Sequence, residues 1–136
     1  PGDIFQKELN DQDYFLQPGA YICSTPGVKL SVKWAGFLSW IGGEGLFRLK
    51  VSGTGTVFFG AYGCLLEKEI NGEFIVDTSH LVGYEPTMKL KQQLSGSLIS
   101  SITSGEGFVT RVEGKGKIII QTRSISGLVS WLNRYL

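Results

Sequence analysis

Short apolar runs separated by glycines recur along the chain, with no run repeating every three or four residues until the tail, so the pattern predicts strands joined by tight turns. Lys29-Leu30-Ser31-Val32-Lys33 and Met88-Lys89-Leu90-Lys91 alternate, the period of a strand with one face in the core and the other in water. Val57-Phe58-Phe59 and Ile118-Ile119-Ile120 do not alternate and predict strands covered on both faces, inside a sandwich or at a subunit contact. Between the runs, Gly53-Thr54-Gly55 and Gly114-Lys115-Gly116 predict tight hairpins, because glycine accepts positive φ without steric cost. Asn71-Gly72 predicts a two-residue hairpin between Leu66–Ile70 and Phe74–Val76, and Asn10-Asp11-Gln12-Asp13 a wider loop. Helical spacing enters only over residues 126–135, where Leu128, Leu132 and Tyr135 share a face and Ser126 is the expected cap. That face is expected to pack against the sheet or a neighbouring subunit.

The pattern is also doubled. Gly43-Glu44-Gly45-Leu46-Phe47 recurs as Gly105-Glu106-Gly107-Phe108-Val109, a displacement of 106 − 44 = 62. Each copy leads through an apolar and basic run to a Gly-x-Gly and then to a β-branched or aromatic strand. Upstream, Tyr14-Phe15-Leu16 aligns with Phe74-Ile75-Val76, Pro26-Gly27-Val28-Lys29-Leu30 with Pro86-Thr87-Met88-Lys89-Leu90, and Leu9-Asn10 with Ile70-Asn71. Such self-similarity predicts a single all-β domain over residues 1–136 built from two copies of one unit, about 4–60 and 64–123, with the short helix following.

Composition narrows the functional classes. With 42% apolar and 18% charged residues over 136 positions, the chain has the profile of a folded domain and not of a disordered one. Its net charge of +1 is evenly spread, 6 basic and 6 acidic residues through Lys68 and 7 and 6 after it, so no half is built to attract a polyanion. The local excess of Arg111, Lys115, Lys117 and Arg123 over Glu113 reads as a solvated hairpin face. Cys23 and Cys64 lie in apolar runs without metal-ligand spacing and read as buried free thiols; a disulfide would need the two strands to face each other. No apolar stretch reaches the roughly 18 residues of a spanning helix, and no signal-peptide pattern opens the chain.

Candidate chemistry is sparse. His80 beside Asp77, Thr78 and Ser79 invites a triad, but neighbours along one strand-turn-strand point in different directions, so a turn histidine is the reading adopted. Glu44 and Glu106, at equivalent points of the two units, read as turn-fixing glutamates accepting backbone N–H bonds rather than as a paired acid and base. No residues cluster as metal ligands and no phosphate loop is present, so no catalytic, metal or cofactor site is expected. The candidate working surface is Trp34, Phe37, Leu38, Trp40 and Ile41, apolar residues ahead of the first Gly-Glu-Gly, suited to a subunit interface or a membrane-touching loop, or else to closing the core.

Pro1-Gly2-Asp3-Ile4, Trp34 with its apolar loop, the two Gly-Glu-Gly turns, Ile75-Val76-Asp77-Thr78-Ser79-His80-Leu81-Val82 and Gln121-Thr122-Arg123-Ser124 together resemble the altered-inheritance-of-mitochondria protein twenty-four family. The resemblance covers essentially the whole chain. It implies an antiparallel β-sandwich or double-stranded β-helix like that of the tryptophan RNA-binding attenuation protein, assembled into homo-oligomers, with trimers the implied state. Family members usually carry about one further repeat ahead of the Pro-Gly-Asp segment, so the chain is similar to the C-terminal part of such a protein. Ser79 stands where many members have glycine. The expected function is a non-enzymatic oligomeric scaffold or interaction protein whose partner is another copy, a second protein or a membrane surface. The alternative is a binding module for RNA or a small ligand, by fold analogy alone; the charge balance disfavours nucleic acid.

Overall fold

The computed structural model describes residues 2–34, 47–94 and 108–135. In chain order they form β1 (Ile4–Leu16), a 3-10 turn (Pro18–Ala20), β2 (Tyr21–Ser24), β3 (Val28–Trp34), β4 (Phe47–Gly60) and β5 (Leu65–Asp77). A second 3-10 turn (Thr78–His80), β6 (Leu81–Tyr84), β7 (Lys89–Leu94), β8 (Phe108–Gln121) and a terminal helix α1 (Ile125–Leu132) complete them. The protein is all-β with one short C-terminal helix. Every strand ladder is antiparallel, in the order β2-β4-β1-β6-β8-β5, with β3 also on β4 and β7 also on β8.

The two longest strands organise the rest. β1 lies along one edge of β4 for nearly its whole length, while β2 and β3 divide the other edge between them. β8 is flanked likewise by β5 on one side and by β6 and β7 on the other. Both faces of β4 and β8 are covered over the runs that lack alternation: Val57, Phe59, Ile118 and Ile119 are buried and Phe58 and Ile120 partly so. One apolar cluster gathers Leu9, Tyr14, Leu16, Val51, Val57 and Phe59, and a second Ile70, Val76, Tyr84, Met88, Val112 and Ile118. They interlock, since Ile119 of β8 enters the first cluster and Phe15 of β1 packs on the second.

The glycine signals mean something other than hairpins. β4 runs straight through Gly53-Thr54-Gly55, and β8 through Gly114-Lys115-Gly116. A Cβ on Gly53, at φ 109°, would collide with the carbonyl oxygen of Gly27; one on Gly114, at φ 134°, would sit 2.7 Å from that of Thr87. The turns that follow β2 and β6 lie across these strands, and glycine makes the room. Asn71-Gly72 is likewise no hairpin, because β5 continues through it with Gly72 facing Gly114. The expected loop at Asn10–Asp13 is a bulge inside β1, between the pairs Leu9↔Gly55 and Gln12↔Gly53, and Asp11 at φ 50° absorbs the extra residue. Glycine here marks a positive φ or a close approach inside a continuous strand, which needs it as much as a turn does.

Other expectations are also revised. β7 alternates as predicted, with Met88 ahead of it buried and Leu90 packed on the second cluster. In β3 the equivalent face is uncovered, leaving Leu30 and Val32 exposed. Ser124, not Ser126, caps α1: its Oγ accepts from the Gly127 N–H at 3.1 Å, and Ser126 falls in the first turn. α1 buries none of its residues, so within the described residues it does not pack on the sheet. Both cysteines are free and exposed rather than buried, Cys23 on β2 and Cys64 in the connection just ahead of β5. Phe37, Leu38, Trp40, Ile41, Glu44 and Glu106 lie outside the described residues, while Trp34 ends β3 with its backbone paired to Phe47.

Candidate functional site

The first and second groups of strands meet where the end of β1 lies on the outer edge of β6. Phe15 pairs with Tyr84 and Leu16 with Gly83, and the Gln17 N–H donates to the Val82 carbonyl at 2.8 Å. Close approach fixes the residue types here. A Cβ on Gly83 would stand 2.8 Å from Cε1 of Tyr14 and 3.0 Å from Cδ2 of Leu16, both fully buried, so only glycine lets β1 seat. Beside it the Phe15 and Tyr84 rings stack with centroids 5.2 Å apart and planes 12° apart. The Arg48 guanidinium covers the other side, 5.5 Å above the Tyr84 ring, and donates to its Oη at 3.0 Å.

Next to the junction a cleft of about 290 Å³ is lined by Lys7, Gln12, Asp13, Tyr14, Glu85, Pro86 and Thr87. Lys7 Nζ lies 4.6 Å over the Tyr14 ring, which in turn stacks on Phe59. Asp13 is held by Lys50 at 2.7 Å, and Glu85 accepts from the Lys117 N–H at 2.9 Å. Tyr14 Oη is buried with no hydrogen-bond partner among the described residues. Burial, and then the negative charges of Glu85 and Glu67, push the Tyr14 phenol far above its ordinary pKa. Burial also raises Tyr84, against the opposing pull of Arg48. Both phenols are therefore neutral near pH 7, which suits packing and hydrogen donation rather than nucleophilic or basic chemistry. One cation and two carboxylates at the mouth could hold a small polar or zwitterionic molecule.

The residues singled out by sequence do not converge on this cleft. Asp77 accepts from the Ser79 N–H at 2.8 Å and from Ser79 Oγ at 2.7 Å, not from His80. His80 Nδ1 lies 2.7 Å from the Gln121 carbonyl oxygen, which can only accept, so the proton is on Nδ1. Gln121 closes the turn by donating from Nε2 to the Ser79 carbonyl at 2.8 Å. Among the described residues, Asp11 is the one non-glycine at positive φ, so serine fits position 79 without backbone strain. The basic stretch is partly neutralised across the ladder, Arg111 by Glu73 at 3.2 Å and Lys117 by Glu67 at 2.7 Å. Sequence reasoning missed Lys7 and Tyr14, seven residues apart on β1, and Glu85, in the turn after β6. β2 lies on β4 as β6 lies on β8, so Cys23 and Gly83 hold equivalent ladder positions, and that unlike pair is a mark of the junction that the sequence alone does not reveal. Among the described residues no His, Cys, Asp and Glu cluster has metal-site spacing, and no helix is long and apolar enough to cross a membrane.

Comparison with known proteins places this geometry. The chain is 27% identical over 139 aligned positions to an uncharacterised protein of Streptococcus pyogenes serotype M6, covering 100% of this chain and 56% of that protein. A crystal structure of a Streptococcus pyogenes protein superposes with a TM-score of 0.86 at 28% identity, covering 100% of this chain and 61% of that one. The chain thus spans a little over half the length of the relatives it matches. Residues 1–123 also match the model of the family described as mitochondrial biogenesis AIM24, and with so much of its length matched, the chain belongs to that family.

Proposed function

We propose that this chain is a non-enzymatic oligomeric scaffold or interaction protein, made of two copies of one β unit folded as a sandwich or double-stranded β-helix. The observation that carries the reading is α1, whose Ile125, Leu128, Val129, Trp131 and Leu132 are all exposed, together with Tyr135 just beyond it. An eight-residue apolar helix with no buried side chain is only marginally stable alone in water, so another surface must cover it. Leu30 and Val32 on β3 add a second uncovered apolar strip. Duplication is supported by the ladders: Leu9↔Gly55 corresponds to Ile70↔Gly116 and Lys29↔Ser52 to Lys89↔Glu113, at displacements of 60 or 61. The assembled state is read as a trimer in the bacterial cytoplasm, or in the mitochondrion of a eukaryote. Light scattering on the 136-residue chain at micromolar concentration tests the assembly, with a mass several times 14.9 kDa expected and a strict monomer overturning it.

A second reading, a small-ligand module, is favoured by the junction cleft with Lys7, Asp13 and Glu85 at its mouth. Calorimetric binding of a zwitterionic metabolite set, lost in Lys7→Ala, would support it. RNA binding is less favoured, because Arg111 and Lys117 already have carboxylate partners. Salt-sensitive binding of single-stranded RNA that is abolished by Lys115→Ala with Lys117→Ala would restore it.

A further inference from the structure

The two groups of strands make the same backbone contacts with different side chains, and at the junction cleft the differences are polar. The Glu85 N–H donates to the Lys117 carbonyl at 3.1 Å, as the Thr25 N–H donates to that of Thr56 at 3.0 Å. Each side chain then accepts the N–H of that same strand residue, Glu85 through Oε2 at 2.9 Å and Thr25 through Oγ1 at 3.0 Å. A hydroxyl therefore suffices to fix this turn, and the Glu85 carboxylate has a second oxygen, Oε1, beyond that need. Among the described residues Oε1 accepts no hydrogen bond and pairs with no cation.

The aromatic position differs in the same sense. Lys7 lies 4.6 Å over the Tyr14 ring and Lys68 lies 4.8 Å over the Phe74 ring, the rungs Lys7↔Val57 and Lys68↔Ile118 being equivalent. Phenylalanine thus meets the packing demand, and the Tyr14 hydroxyl is in excess of it. That hydroxyl is buried without a partner among the described residues, on a side chain only 1% exposed, whereas buried phenols normally find one. It lies 3.1 Å from where a Cβ on Gly83 would stand, two residues before Glu85. After burial, the Glu85 charge is the larger influence holding its proton, so the two groups face one space. Lys7 has no carboxylate within ion-pair distance among the described residues, while Asp13 is already held by Lys50.

We propose that the junction cleft binds a small aminocarboxylate zwitterion, its ammonium donating to Glu85 Oε1 and to the Tyr14 hydroxyl oxygen and its carboxylate accepting from Lys7 Nζ. This rests on the small-ligand reading above and names the class of ligand. The unpaired groups are one cation and one anion, so a ligand of a single charge would satisfy one and oppose the other. The negative potential that opposes loss of the phenol proton favours an ammonium beside it. Lys7 is the long flexible side chain over the ring, and it draws aside as it takes the carboxylate. Both walls of the cleft belong to the described residues, and its volume of about 290 Å³ holds about ten groups of water's size, at about 30 Å³ each.

Calorimetry with glycine, β-alanine and γ-aminobutyrate tests the proposal, because the three differ only in the spacing of their charges. At least one is expected to bind, with acetate and methylamine, which carry one charge each, at least about tenfold weaker. Glu85→Thr and Tyr14→Phe introduce the residue that the equivalent position already carries, so folding is expected to survive. Glu85→Thr is expected to weaken binding at least about tenfold and Tyr14→Phe about fivefold. Affinity that falls in Lys7→Ala yet is unchanged by either of the other substitutions overturns the assignment and leaves the small-ligand reading standing. Acetate or methylamine binding as tightly as the zwitterions does the same. No binding by any of these five molecules, or by any member of a wider metabolite set, overturns both.

Discussion

Replacing Gly83 by alanine adds a single methyl group at the point where β1 crosses β6, and its cost follows from the packing. The new Cβ would lie 2.8 Å from Tyr14 Cε1 and 3.0 Å from Leu16 Cδ2, whereas ordinary contact begins near 3.4 Å, so the overlaps are 3.4 − 2.8 = 0.6 Å and 3.4 − 3.0 = 0.4 Å. Neither neighbour can retreat into solvent, because Tyr14 and Leu16 are among the most deeply buried side chains. Tyr14 is further backed by Phe59, so the ladder itself must shift. Over-packing of this kind costs about 1–3 kcal/mol, and the two rigid contacts place it in the upper half. Urea unfolding followed by tryptophan fluorescence reads it as a midpoint lowered by roughly 1 M, given slopes of about 1–3 kcal/mol/M. Leu16→Val removes one of the two colliding atoms, so alanine should cost less in that background than in the parent, and the double variant should lose less stability than the sum of the two single losses. A midpoint unchanged by Gly83→Ala, or equal costs in the two backgrounds, would refute the account of the junction.

Three further outcomes follow from the same packing. Gly53→Ala should destabilise well beyond Gly72→Ala: both glycines have positive φ, costing about 1–3 kcal/mol, but only Gly53 would also drive a Cβ into a backbone oxygen, and equal midpoints in urea would sink the argument. Tyr14→Phe removes a buried hydroxyl with no partner among the described residues and should leave stability unchanged or raise it by about 1 kcal/mol, with a clear loss in thermal unfolding counting against it. The raised Tyr14 phenol contributes stability that is whole below the unfolded pKa near 10 and is lost as pH rises past it, since the unfolded chain then binds fewer protons than the native one. Unfolding midpoints should therefore fall between pH 10 and 11.5, less steeply in Tyr14→Phe, and parallel slopes in the two proteins would contradict this.

The sequence carried the positions of the strands better than their connections. Alternation in Lys89-Leu90-Lys91 and its absence in Val57-Phe58-Phe59 report how many faces of a strand are covered, and both readings match the burial observed. Glycine reports only that a backbone needs positive φ or lacks room for a Cβ. A turn at Asn71-Gly72 and a continuous ladder passing through Gly72 and Gly114, both at positive φ, satisfy that need equally, so local signals could not separate them. The error cost four expected turns and lengthened the strands, because β4 and β8 are continuous where hairpins were expected.

The functional surface was least legible for a related reason. Aligned residues such as Val82 and Ile22 are both β-branched and apolar, so their sequence environments match, yet one is sealed by β1 and the other faces solvent. Burial depends on what lies across the edge: the end of β1 covers the outer edge of β6, whereas among the described residues the edge of β2 away from β4 has no strand on it. Glycine at position 83 and cysteine at position 23 are the trace this leaves in the sequence. An edge covered by Tyr14 and Leu16 requires glycine, whereas the exposed Cys23, on an edge that no described strand covers, carries a side chain. The unlike residues at these equivalent ladder positions therefore say more about which edge is covered than do the shared ones, because the shared residues record the common ladder and the difference records what lies across each edge.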